Sequence, residues 1–296
     1  MKRVPLALLI SLTLAPAALA WGPDGHRIVC RIAYDLLDES QQQEVDRLTD
    51  LYTMPDDTPR PSSFPHACIF ADDARAKARD GVEGWTRFNR FNDWHFLNVP
   101  REVRHVGDEF CDDDCVTFAI GFHEERLGRK TLGDQKRAEA LFFLGHWVGD
   151  VHQPLHVSFS DDLGGNNIKP IHGGLYKSKN LHSVWDSGIL MTAEGEDGWR
   201  VFADRLAEEI GGEQQSAWTA DMKPIAWAEE SYAITTSKPV DYCEWVSGDE
   251  GDWCRPEHHI RTLKQAYQDR FDKTVEERLQ MAGVRLAELI RSSLAK

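Results

Sequence analysis

Residues 141–156 read LFFLGHWVGDVHQPLH. His146 and Asp150 stand four apart in this run, a spacing that puts both side chains on one face of an α-helix, where they can grip one metal ion. Apolar and aromatic residues surround the pair, so the segment reads as a helix set in a core. A His/Asp pair buried there without a metal would have to find other partners for its charge and its donors. The arrangement recurs in NLHSVWDSG, where His182 and Asp186 are again four apart. One HxxxD occurs often by chance; two, each among aromatic residues, carry more weight. Between them lies His152-Gln153-Pro154-Leu155-His156. An unbroken helix would place His156 about 15 Å along the axis from His146, at 1.5 Å per residue. His156 is therefore expected to join His182 and Asp186, with Pro154 redirecting the chain. His152 is expected to hydrogen-bond to backbone or to groups behind the ligands and not to bind metal itself.

Outward from this run the pattern stays helical. Apolar residues recur at spacings of three and four near 25–38, 40–50, 67–80, 134–152, 181–192, 197–210, 225–235, 258–270 and 273–293. In the last, Leu279, Ala282, Leu286, Leu289 and Ile290 form one apolar stripe, which reads as core. Asp93 to Val99 is the best short strand. Two long loops are expected at 51–66, with four prolines, and at 157–180, rich in Gly, Asn and Lys. No internal repeat or low-complexity linker interrupts the chain, so one mainly helical domain is the expected fold.

That domain is read as residues 21–296. Lys2 and Arg3 precede the apolar run Val4 to Leu14, and the small residues end in Ala18-Leu19-Ala20, the form of a secretory signal with an A-x-A cleavage site. A secreted or periplasmic protein without stable membrane association is expected. Cleavage would leave 296 − 20 = 276 residues beginning at Trp21. The formal charge of −15 would become −17 on loss of Lys2 and Arg3. Such a chain cannot bind polyanions by wrapping them in Lys and Arg. If it meets phosphate, the positive charge must come from bound metal.

The six cysteines, Cys30, Cys68, Cys111, Cys115, Cys243 and Cys254, allow 15 disulfide connectivities in an exported chain. Cys111 and Cys115 bracket the acidic loop Asp112-Asp113-Asp114, and Cys243 and Cys254 bracket a loop with Trp and Gly. Elimination then leaves Cys30 for Cys68. A cysteine zinc site is the weaker alternative, because no CxxC repeat occurs.

Further candidate ligands lie in WGPDGH (21–26), FADDAR (70–75) and WHFLN (94–98). Together with HxxGDxHQPLH, GGN and NLHxxWD, in this order from Trp21 to Asp186, they make the chain resemble the single-strand-preferring zinc nucleases of the S1/P1 type, also known as 3′-nucleotidases. These belong to the zinc phospholipase C superfamily, so the resemblance implies one helical domain of that type. It implies three zinc ions. Asp72, His95, His146 and Asp150 would hold one. His26, Asp150 as a bridge, and the free amine and carbonyl oxygen of Trp21 would hold a second; His156, His182 and Asp186 would hold the third. It also implies hydrolysis of phosphodiester bonds in single-stranded nucleic acid and nucleotides, to products carrying a 5′-phosphate. Asp72, Asp150 and Arg75 would be central to the chemistry, Arg75 by stabilising charge that grows on the phosphoryl oxygens. Cys30 one turn after His26 and Cys68 one turn before Asp72 would then fall side by side, a second support for that disulfide.

Three positions depart from the family pattern. Asn98 stands where an acidic partner for Arg75 is usual, Gly188 where an asparagine often follows the last ligand, and Phe70 where a tryptophan is usual. None removes a metal ligand. A zinc phospholipase C activity is the alternative enzyme reading, though it would favour glutamate at Asp186, and a non-catalytic exported zinc-binding protein is the alternative from another class. A monomer is expected.

Overall fold

The structure is a computed structural model that describes residues 21–169, 176–248, 251–256 and 263–296. The signal at 1–20 lies outside the described residues, as do residues 170–175 of the expected loop at 157–180 and residues 258–262 of the expected helix at 258–270.

The fold is mainly α-helical. Pro23 sits in the first turn of α1 (Pro23–Asp35), where its missing N–H costs nothing and its fixed φ suits the helix. Asp38 and Gln41 form a reciprocal capping box that starts α2 (Glu39–Leu51). The short α3 (Phe64–Ala67) leads through Cys68 into α4 (Phe70–Arg79). Then come α5 (Val116–Gly128) and α6 (Asp134–His152). The second half adds α7 (Leu181–Ser183), which runs through a π-turn at Val184–Gly188 into α8 (Ile189–Glu194). It continues with α9 (Gly198–Glu208), α10 (Gly212–Trp218), α11 (Pro224–Thr235) and the long α12 (Gln265–Ala295).

α6 is the axis of the molecule. Every residue from Ala140 to His152 is buried, as expected of a helix that is apolar all round. It packs against α1, α2, α4, α5, α11 and α12. The apolar stripe of α12 is buried as expected, from Leu279 to Ile290. The two helices expected at 258–270 and 273–293 are one helix from Gln265 onward, because nothing between Phe271 and Lys273 caps or breaks it.

Among the described residues the strands are few. Only Leu97–Val99 of the expected strand at 93–99 is extended (β1), and it pairs in parallel with β2 (Val157–Phe159), inside the expected loop at 157–180. β3 (Cys243–Gly248) and β4 (Gly251–Pro256) form an antiparallel hairpin, with Trp245 opposite Cys254. Three disulfides occur: Cys30–Cys68, Cys111–Cys115 and Cys243–Cys254.

Candidate metal centre

Four pieces of backbone converge at the C-terminal end of α6. α1 brings His26, α4 brings Asp72, α6 brings His146 and Asp150, and the turn before β1 brings His95. β1 and β2 are neighbours, so the residue two before β1 meets the residue just before β2: the His156 ring donates from Nδ1 to the His95 carbonyl at 2.6 Å. α7 and the π-turn supply His182 and Asp186. Close approach depends on two glycines of α6. A Cβ on Gly149 would lie 2.7 Å from Nδ1 of His26, and one on Gly145 would lie 2.6 and 2.7 Å from the sulfurs of Cys68 and Cys30.

The ligand-bearing atoms fall into three groups, the first two sharing His146: His26, Asp72 and His146; His95, His146 and Asp150; His156, His182 and Asp186. Within each, one donor atom per residue lies within 4.8 Å of the others, and all these residues are buried. The Asp150 carboxylate faces two ways. Its Oδ1 is 3.4 Å from Nε2 of His26, while its Oδ2 is 3.1 Å from Nδ1 of His95 and 3.3 Å from Nε2 of His146. Asp72 Oδ1 lies 3.7 Å from Nε2 of His146 and 3.9 Å from Nδ1 of His95. Asp186 Oδ1 lies 3.5 Å from Nε2 of His182 and 3.8 Å from Nε2 of His156.

Backbone carbonyls fix the rings. His146 Nδ1 donates to the Cys68 carbonyl at 2.7 Å and His182 Nδ1 to the Gly164 carbonyl at 2.6 Å. A carbonyl can only accept, so in His146, His156 and His182 the proton sits on Nδ1 and the Nε2 lone pair points into its group. Gly164 and Gly165, with φ of +64° and +82°, make the turn that aims the Gly164 carbonyl at His182. This is the structural use of the GGN run.

The electrostatics suit a bound cation. Burial, followed by the charges of neighbouring histidines, holds His26 well below its ordinary pKa. Burial alone leads the depression of His146 to about 3 and of His182 to about 4. Their rings are neutral at pH 7, the form that ligates metal. Burial raises Asp72 to about 7, and pushes Asp150 and Asp186 well above the carboxylate range. Among the described residues, buried side-chain atoms without a hydrogen-bond partner include both ring nitrogens of His26, both oxygens of Asp72, Oδ1 of Asp150 and Nε2 of His156. Buried polar atoms are almost always paired, and these converge on common points. The donor set, imidazole nitrogen and carboxylate oxygen, fits zinc.

Trp21 is fully buried at the edge of this cluster. The N–H of Gly22 donates to the Asp186 carbonyl at 2.7 Å, and the absent Cβ of Gly25 makes room for the tryptophan side chain. Arg75, one turn beyond Asp72, is half-buried. Burial lowers its pKa, while the charges of Asp72, Asp150 and Asp93 act to raise it. Asp93, two residues before His95, thus bears on Arg75 where Asn98 offers no charge. His152 lies outside all three groups. Its Nδ1 donates to the Val148 carbonyl at 2.7 Å, and its Nε2 accepts from Arg285 at 2.8 Å.

Carbonyl partners such as those of Cys68, His95 and Gly164 escape sequence reasoning, because every residue type carries the same carbonyl. The glycines at 145 and 149 do carry a signal, since two glycines four apart inside an apolar helix mark a face against which something packs closely.

A family model described as S1/P1 Nuclease matches residues 21–295. The chain is 31% identical to Endonuclease 2 of Arabidopsis thaliana over 292 residues, covering 92% of this chain and 90% of that protein. It is 26% identical to Nuclease S1 of Aspergillus oryzae over 298 residues, covering 94% and 93%. To Nuclease P1 of Penicillium citrinum it is 40% identical over 217 residues, covering 66% and 74%.

Proposed function

The chain belongs to the S1/P1 nuclease family, and on that premise we propose that this hydrolytic nuclease is exported and cleaves single-stranded DNA and RNA with three zinc ions, leaving 5′-phosphates. The observation that carries the reading is the Asp150 carboxylate, which turns one oxygen toward His26 and the other toward His95 and His146. A carboxylate so placed can bridge two ions.

In this reading Asp72, His95, His146 and Asp150 would hold one zinc. Asp150, His26 and the amine and carbonyl of Trp21 would hold another, and His156, His182 and Asp186 the third. Zinc bound there supplies Lewis acidity and a nucleophilic water near neutral pH. The chain's own residues do the rest. Asp150 sets the separation of the two ligand sets that share it. The three carbonyl-anchored imidazoles keep their lone pairs aimed without reorganisation. Arg75 meets the charge that builds on the phosphoryl oxygens in the transition state, where one well-placed cation is worth several kcal/mol. Unpaired strands are favoured because exposed bases can stack on aromatic side chains. The same groups suit 3′-nucleotide hydrolysis. Removal of residues 1–20 would free the Trp21 amine, the family match itself begins at Trp21, and we take the protein to act as a monomer.

Product identification tests this. Protein beginning at Trp21, given single-stranded DNA, single-stranded RNA and phosphatidylcholine vesicles in separate reactions, is expected to release 5′-phosphorylated nucleotides and no phosphorylated headgroup. Headgroup release, or inertness toward all three substrates, would overturn it.

A further inference from the structure

Gln153 ends α6 and is fully buried. Its Oε1 accepts the N–H of Leu155 at 2.5 Å. A backbone N–H can only donate, so the amide cannot be flipped and its other end is the NH₂ group. That group donates to Oδ1 of Asp186 at 2.5 Å. The same oxygen faces Nε2 of His182 and of His156, both of which present lone pairs because their Nδ1 protons are spent on carbonyls. Among these neighbours Gln153 alone offers Asp186 Oδ1 a hydrogen. The backbone of Gln153 adds two more ties: its N–H donates to the Asp150 carbonyl at 3.0 Å, and its carbonyl accepts the His156 N–H at 3.0 Å.

We propose that Gln153 is a positioning residue for the His156, His182 and Asp186 group: it pins the Asp186 carboxylate in one rotation and so governs how tightly that group alone retains metal. The inference rests on the reading that this group holds zinc. Asp186 reaches the site from a π-turn that is 33 residues distant in sequence from Gln153, and a carboxylate there can swivel about its last torsion. One directed hydrogen bond removes that freedom before the metal arrives. Gln153 cannot touch substrate, being wholly enclosed, and it contributes no ligand atom.

The test replaces the donor while keeping the shape. Gln153→Glu preserves volume and the acceptor for Leu155 N–H, but turns an oxygen toward Asp186. Zinc content and competition against a chromophoric chelator are read on the full mature protein, beside wild type. Gln153→Glu should hold one zinc fewer at limiting zinc. The affinity of that zinc should fall roughly 10- to 100-fold, the range for lost partners of metal ligands, with the other two unchanged and full occupancy regained in excess zinc. Gln153→Met, which lacks donor and acceptor alike, should show the same selective loss. Wild-type zinc retention in either variant, or equal weakening of all three zincs, overturns the proposal. So does failure of both to fold, which would make Gln153 a requirement of the fold. If wild-type protein itself binds no third zinc, it is the functional reading that fails, and the two results are told apart by the wild-type count.

Discussion

Asp150 and His152 lie two residues apart on α6 and are equally buried, yet they face different partners. Asp150 faces the imidazoles of His26, His95, His146 and His156. His152 faces away, into Arg285 and the Val148 carbonyl. Asp150→Asn is expected to lose metal and nearly all activity. His152→Ala should keep its zinc and lose stability, by about 1–3 kcal/mol for the one buried Arg285 N–H left without an acceptor, the other donors of that guanidinium being held by Glu230 and the Trp218 carbonyl. Zinc content and denaturant midpoints of the two variants decide this, and equal activity losses would mean the ligands are misassigned. Arg75→Ala should keep all its zinc and lose roughly 100- to 1,000-fold in kcat, as removal of a transition-state donor does. A change confined to KM would make Arg75 a substrate-binding residue only. Trp21 offers a test at the other end of the site. An α-amino group near pKa 8 can give up its proton to a metal near neutral pH. Protein carrying an extra methionine before Trp21 should therefore fold and hydrolyse poorly, and regain activity once the methionine is removed.

Two candidate pairs, His146 with Asp150 and His182 with Asp186, were legible because a spacing of four reports on one helix face, and a face is a local property; Trp21, His26, Asp72 and His95 stood out only through the resemblance. How they combine was less so. The structure places His26 with Asp72 and His146 as well as beside Asp150, a mingling that depends on how α1 crosses α6. Gly149 controls that crossing. Gly149→Ala should stabilise an isolated helix, yet its Cβ would lie 2.7 Å from the His26 ring, so zinc binding and activity should fall sharply. Retention of both by Gly149→Ala would contradict the packing described. α5 was not foreseen: Val116, Thr117 and Ile120 are β-branched and Gly121 interrupts the period, so the segment gives no clear helical signal. Packing against α6 decides its form, through His123, which sits against Phe143. Burial depresses His123 to about 3. An unfolded histidine binds its proton near pH 6.5, so between these values the unfolded state holds more protons. His123 therefore takes stability away as pH falls from about 6.5 toward 3. In chelated protein, His123→Phe should lose less stability over that range than wild type does. The β3–β4 hairpin lacks a sequence signal for a different reason, since its acidic, glycine-rich centre has weak strand propensity and its strands are linked by a disulfide.

At the scale of the whole molecule, a chain with a formal charge of −15 acts on a polyanion. The account places the compensating charge in the metal centre, which the acidic exterior does not cancel at close range. Affinity for single strands should then depend only weakly on salt, falling less than about tenfold between about 50 and 200 mM, since few phosphates are neutralised by side chains. The Cys30–Cys68 bridge, closing 38 residues beside the centre, should contribute roughly 3–4 kcal/mol by restricting the unfolded chain. Among the described residues no helix is long and apolar enough to cross a membrane. The helical architecture could be read from the sequence because periodicity is a local signal. The central claim is that buried, unpartnered imidazoles and carboxylates exist here to hold zinc for hydrolysis. The most direct test is zinc content, thermal stability and single-strand hydrolysis of protein beginning at Trp21, measured together before and after chelation. Three zincs per chain are expected, with activity abolished and melting temperature lowered when they are removed, and both restored by zinc. A zinc-free protein that is folded and fully active would contradict that claim.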